Sequence, residues 1–321
     1  GRGFYVMDNI SPLRQWGRQT GDLTLFKPQD ALRGLDRSLA IDYQLKQAAQ
    51  KVTVEILDAQ GKAIRTFTRV AGEAEKPPAE GFEEFRRPRD PKPPVTAGIH
   101  RLNWDLRYPG ATDFPGLIMW AASTRGPIAP PGSYQVRVTA DGQSQTQPFA
   151  IRREPHVLAD VTDADLAKQF ELAVQIRDKT SQINEGVLLV RGVRPQIKER
   201  TAKLDKKKAA AVVKALDGLE TTLTAIEVEL YQVNNQSSED PLNYPIKLNN
   251  KVAALQGIVE SADSRPTDAA HEIFAMLSTR VDEQLKKLDA AVKTQLPQVN
   301  TLLQRQKLEP VKAEMLKSEE K

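Results

Sequence analysis

Seven aliphatic residues, Val212, Leu216, Leu219, Leu223, Ile226, Leu230 and Val233, follow one another at spacings of 4, 3, 4, 3, 4 and 3. This is the a/d rhythm of an α-helix carrying one apolar seam. Burying each such side chain contributes about 1.5–3 kcal/mol before entropy is subtracted. A seam this long has to be covered, and the flanking sequence offers helices to cover it. Upstream, Thr162-Asp163-Ala164-Asp165 has the form of a capping box, with Thr162 as N-cap and Asp165 reaching back. A long helix is expected from there through Leu166, Phe170, Ala173, Ile176, Ile183, Val187, Val190 and Ile197, kinked where Pro195 removes a backbone donor. Downstream, the polar run from Asn234 to Asp240 ends the seam helix. Pro245 then suits the first turn of a third helix, with Leu248, Val252, Leu255 and Val259 inward. A fourth is expected to begin near Pro266 and to use Phe274, Leu277, Val281, Leu285, Leu288 and Val292, and the segment from Val299 to Leu308 to pack back. The charged residues at the end are expected to fray.

Before Pro155 the period is two. Leu39, Ile41, Tyr43 and Leu45 alternate with smaller or polar residues, as do Val52, Val54 and Ile56. The turn Asp58-Ala59-Gln60-Gly61 leads into Ala63–Phe67 and predicts a hairpin. Further strands are expected at His100–Leu106, at Tyr134–Val138, and through Phe149 and Ile151 after the Asp141-Gly142 turn. Short strands punctuated by turns predict a β-sandwich of immunoglobulin-like type. Residues 71–97 break the pattern with six prolines and eleven charged residues, and predict an exposed, irregular, protease-sensitive insertion. The chain opens on GRGFYVMD, with Phe4 and Val6 on one strand face and Tyr5 and Met7 on the other, and a second short run follows at Leu23–Phe26. Two short strands do not make a stable sheet. The strand at Gly1–Asp8 is therefore expected to pair outside this chain's sandwich, with residues 1–26 a closing strand and exit segment, the sandwich at 27–155 and an antiparallel α-helical bundle at 156–321.

The composition narrows the chemistry. There are no cysteines, which removes disulfides, thiolate catalysis and zinc–thiolate sites. The formal charge of +4 falls within residues 1–161, while 162–321 balances, so neither half carries the concentrated basic charge of a nucleic-acid-binding domain. No apolar run approaches the ~20 residues needed to span a bilayer.

No catalytic residue, cofactor or metal ligand emerges. His100, His156 and His271 fall one to each region and are read as ordinary surface or satisfied histidines. Glu83/Glu84 lie in the insertion; Glu227 and Glu229 lie two apart on a helix, roughly 200° around its axis, and are expected to be solvated. Lys206-Lys207-Lys208 lacks accompanying aromatics and is read as a helix–helix turn. No Gly-rich phosphate loop, GxSxG elbow or HExxH is present. The aromatic-rich stretch containing Tyr108, Phe114 and Trp120 is the one candidate ligand or partner contact. Its competing reading, the favoured one, is a long loop packed over the sandwich edge or a neighbouring domain.

GRGFYVMDNISPLRQ resembles the closing strand and exit segment of bacterial BNR-repeat, sortilin-like β-propeller proteins, often labelled glycosyl-hydrolase-like. KVTVEILDAQGKAIRTF, GIHRLNWDLRYPGA and PIAPPGSYQVRVTADGQSQTQPFAI are similar to the immunoglobulin-like module after that propeller, and also to the sandwich of flagellar hook-cap proteins. DLAKQFELAVQIRD and YPIKLNNKVAALQGIVESADSRPT resemble its terminal helical region. The resemblance implies a secreted or periplasmic parent with a propeller upstream. It supplies no catalytic residue, since the propeller's Asp-box turns are missing. The expected role is a non-catalytic C-terminal accessory or assembly region. Its partners would be the upstream propeller, another protein chain or a second copy. The alternatives are a carbohydrate- or surface-binding module centred on Trp120 and Phe114, and a piece of a glycosyl hydrolase whose active site lies upstream.

Overall fold

The computed structural model describes residues 3, 9–17, 21–34, 37–74, 90–155, 160–205 and 207–316. The strand expected at Phe4–Met7, most of the 71–97 insertion, His156 and Lys206 lie outside them. The chain divides into two compact units: Gly1–Pro109 with Pro127–Phe170, and Gly110–Gly126 with Glu171–Lys321.

Alternation builds the first unit. Its strands are β1 (Leu23–Leu25), β2 (Ala31–Arg33), β3 (Leu39–Leu45), β4 (Lys51–Leu57), β5 (Ala63–Val70), β6 (Gly98–Trp104), β7 (Gly132–Ala140) and β8 (Gln143–Arg153). They form a three-stranded sheet, β1-β3-β6, and a five-stranded sheet, β2-β8-β7-β4-β5, antiparallel except where β2 runs parallel to β8. The inward residues of both sheets share one core, with Ile41, Tyr43, Val54, Ile56, Trp104, Val136 and Val138 fully enclosed. Trp104 meets Tyr134 and Phe149 edge-on, at ring-centre separations of 6.5 and 6.3 Å, and its indole N–H donates to the Arg107 carbonyl at 2.9 Å. The two-residue turn between β7 and β8 has positive φ at both Asp141 (47°) and Gly142 (88°), the mirror-image turn whose twist suits a hairpin.

Two expectations change here. Leu23–Leu25 is no exit segment: it pairs with Tyr43–Leu45 inside the first sheet, with Leu23 and Leu25 in the core. Strand β2 had no signal in the sequence. It is held by Arg33, whose buried guanidinium donates to the Ala129 carbonyl at 3.0 Å and to Gln169 Oε1 at 2.9 Å. At the ends of the insertion, Val95 is half-buried against the core and the Tyr43 hydroxyl donates to the Pro94 carbonyl at 2.6 Å.

Besides short helical turns at Ser11–Arg14 and Asp240–Leu242, the helices are α1 (Asp163–Ala202), α2 (Ala210–Leu230), α3 (Leu248–Val259), α4 (Asp268–Ala290) and α5 (Leu296–Arg305). The capping box at the start of α1 is reciprocal: the Asp165 N–H donates to Thr162 Oγ1 at 3.1 Å and the Thr162 N–H to Asp165 Oδ2 at 3.0 Å. Helix α1 continues through Pro195 to Ala202. The seam of α2 is buried from Val212 to Leu230, but Val233 is exposed, because the backbone turns extended at Tyr231 (φ −137°, ψ 146°). Pro245 precedes α3 by three residues and does not start it. The fourth helix and the segment after it are contiguous: a wide π turn, Ala291–Gln295, joins α4 to α5. Pro297 lacks an N–H and crowds the carbonyl four residues back, and the wider turn relieves both. Leu172, Ile176, Ile183, Val187, Leu216, Leu223, Val252, Val281, Leu296 and Leu303 share one core.

Candidate functional site

The candidate aromatics lie in different units. Tyr108 belongs to the β unit, half-buried with its ring 4.7 Å from that of Phe170. Burial pushes its hydroxyl above the ordinary tyrosine value, and a hydrogen bond with Tyr134 works against the shift. Phe114 and Trp120 lie on residues 110–126, a strap that belongs to the helical unit.

The strap closes on itself at its neck. The Ala111 N–H donates to the Thr124 carbonyl at 2.8 Å, and a Cβ at Gly110 would stand 2.2 Å from the same oxygen, so only glycine fits there. Beyond the neck, helical side chains seize the strap's main chain. Ser181 Oγ accepts from the Thr112 N–H at 3.0 Å, and Asn184 Nδ2 donates to the Thr112 carbonyl at 2.7 Å. The Tyr231 hydroxyl donates to the Gly116 carbonyl at 3.0 Å and accepts from the Ile118 N–H at 3.3 Å. Asn250 makes a two-bond clamp on Trp120: Oδ1 accepts from its N–H at 2.6 Å and Nδ2 donates to its carbonyl at 2.8 Å. Gln256 Nε2 donates to the Arg125 carbonyl at 3.0 Å.

Phe114 is the strap's apolar anchor. At 2% exposure Phe114 is inside the helical core, which agrees for this residue with the favoured packed-loop reading and corrects its candidacy as a ligand or partner contact. Tyr231 packs on it edge-on at 5.2 Å, and the Arg191 guanidinium sits 4.8 Å from its centre and 5.0 Å from that of Tyr231. Glu227 holds Arg191 there, accepting from its Nε at 2.7 Å and from Arg194 Nη1 at 2.7 Å. Glu227 is therefore not solvated as expected: it is 2% exposed, a buried carboxylate between two arginines. Glu229, facing elsewhere, stands 3.6 Å from Lys247.

Trp120 is mounted differently. Its backbone is clamped, yet its residue is 41% exposed. A fixed backbone under an exposed indole presents a large amphipathic surface at low entropic cost on binding. Sequence reasoning singled out the ring but not its mount, although Asn249-Asn250 within an aliphatic helix was a usable signal, since buried amides require partners.

Elsewhere, His100 sits at the edge strand β6 with Nε2 2.6 Å from the Thr96 carbonyl. Lys207 and Lys208 are exposed in the turn before α2. Among the described residues, no group of three His, Asp or Glu side chains is placed to hold a metal ion, and no helix is long and apolar enough to cross a membrane.

No family model and no curated protein matches the chain. Solved structures match at low similarity. A biofilm-associated protein's BSP domain is 15% identical over 40% of this chain and 15% of its own, with a TM-score of 0.21. The sulfur carrier protein SoxY of Chlorobium limicola f thiosulfatophilum is 10% identical over 42% of this chain and 81% of its own, at 0.20. The CARDB domain of the Pyrococcus furiosus PF1109 protein, solved with di-metal ions, is 12% identical over 42% of this chain and its full length, at 0.20.

Proposed function

We propose that this chain is a non-catalytic accessory region of a secreted propeller protein, an immunoglobulin-like sandwich followed by an antiparallel helical bundle, and that it works by protein contact through Trp120. The observation that carries the reading is the mounting of that residue: its backbone is held at both polar groups by Asn250, yet the residue is 41% exposed. Binding surfaces use such rigid aromatics as anchors. The resemblance of residues 1–15 to a propeller's closing strand supplies the partner, the upstream propeller of the parent.

Labelling with 5-fluorotryptophan tests it, since the chain has only three tryptophans and Trp120→Phe assigns the resonance. The Trp120 fluorine signal is expected to shift when the upstream propeller polypeptide is added and to stay in place with oligosaccharides. A shift with oligosaccharides alone would replace this reading with a carbohydrate-binding module; no shift with either would remove Trp120 from function.

A further inference from the structure

Residues 309–316 follow α5 without regular secondary structure, yet their main chain is held along α1 as closely as a strand in a sheet. Asn300 binds Val311 at both polar groups, Nδ2 donating to its carbonyl at 2.9 Å and Oδ1 accepting from its N–H at 2.8 Å. Gln196 does the same to Lys312, at 3.0 and 2.9 Å. Its Nε2 also donates to the Gly192 carbonyl at 2.8 Å, which fixes the amide's orientation. Arg200 Nε donates to the Glu309 carbonyl at 3.1 Å, and the Leu316 N–H to the Leu188 carbonyl at 2.9 Å. A side-chain amide offers one donor and one acceptor side by side, the same pair a neighbouring strand would offer.

The spacing shows the segment's form. From Gln196 back to Leu188 is about 12 Å along the helix axis. Lys312 to Leu316 covers it at about 3 Å per residue, close to the extended limit of ~3.3–3.6 Å. The segment is thus an extended peptide running antiparallel to α1. Gly192 lets it lie there: a Cβ at that position would stand 2.0 Å from the Glu314 carbonyl oxygen and 2.8 Å from the Leu316 nitrogen. A glycine inside a helix weakens it, and the close approach is the structural reason for this one.

Only one side chain of the segment is an anchor. Val311 is 1% exposed in the helical core, whereas residues 312–316 are all exposed. The groove therefore reads an extended main chain and one β-branched side chain. The hinge before it is strained: Lys307 has φ +59°, with the Leu308 N–H donating to the Leu303 carbonyl at 3.1 Å, the helix-ending turn that favours glycine.

We propose that this groove is a peptide-binding site whose occupant is exchangeable, and that it takes residues 309–316 of a second copy of the chain, producing segment-exchanged homo-oligomers. Every copy carries the same Val311 at the same distance from the same short hinge, and the clamps ask only for main-chain atoms, so a second copy satisfies the groove without change to either molecule.

The absence of cysteine makes the test direct, because introduced thiols are the only ones present. One preparation carries Gln196→Cys and the other Lys312→Cys; neither can close a disulfide within itself. Mixed and oxidised, they are expected to give a covalent dimer at least about ten-fold faster than Lys312→Cys mixed with Thr221→Cys on the exposed side of α2. A rate no greater than this control overturns the proposal when both variants fold. As a measurement independent of those substitutions, the unmodified chain is titrated up to about millimolar, the effective concentration of a short tether, into a trace of a fluorescein-labelled peptide of residues 306–316. A saturable rise in anisotropy upholds the exchangeable groove even where Gln196→Cys fails to fold, and a flat titration overturns it.

Discussion

Replacing Asn250 tests whether Trp120 is held as its two hydrogen bonds indicate. Asn250→Ala removes both bonds, and each neutral bond contributes about 1 kcal/mol net. Asn250 itself is 3% exposed, so little water reaches the vacated site and the freed Trp120 groups keep part of the desolvation penalty. The expected loss is about 1–3 kcal/mol. Asn250→Asp is the sharper perturbation. It keeps an acceptor for the Trp120 N–H but sets a carboxylate against the Trp120 carbonyl, 2.8 Å from the atom it replaces. Protonation restores a donor at that position, so the new carboxyl should titrate above its ordinary value of about 3.9. A group whose folded pKa is raised contributes stability that is present below the unfolded pKa and lost as pH rises through the folded one. Asn250→Asp should therefore approach the parent's stability at acid pH and fall below it as the pH approaches neutrality. Urea unfolding followed by helical circular dichroism at several pH values measures this. Equal stability of Asn250→Asp and the parent across the range, within the ~0.5 kcal/mol of an ordinary surface change, would refute the clamp.

Leu223→Ala, at the centre of the α2 seam and 1% exposed, should destabilise the helical unit by about 2–5 kcal/mol in the same assay. Thr162→Ala removes the N-cap hydroxyl that accepts from Asp165, and should cost about 0.5–2 kcal/mol, read by hydrogen exchange in the first turns of α1. Burial drives the hydroxyl pKa values of Tyr43 and Tyr134 well above the ordinary value. In an ultraviolet titration these two should stay un-ionised beyond pH 10, and stability should fall as the pH rises through that region, because only the unfolded chain then loses their protons.

The recognised features are those encoded within one element. The 4-3 spacing placed Val212 to Leu230 in a core, because residues three and four apart share a helix face whatever covers them. The Thr162–Asp165 box and the Asp141-Gly142 turn were legible for the same reason: their partners lie within three residues. Alternation located β3 to β8 and made the shared core of two sheets predictable.

Tertiary structure decided everything that depends on a distant partner. Glu227 reads as a solvated charge until α1 brings Arg191 and Arg194 from 36 and 33 residues away. Phe114 and Trp120 read alike in the sequence, as packed or as binding aromatics, until the helices enclose the first and Asn250, 130 residues on, holds the second by its backbone. Leu23–Leu25 is too short to declare a sheet by itself, and its place was set by the register of Tyr43 to Leu45. Pro297 announces a helix end in any local reading, yet the π turn before it absorbs the missing donor. Periodicity states which face of an element must be buried. Which polar groups can join that face is settled only when separate elements meet, since a buried charge or amide is tolerated where its partners arrive and nowhere else.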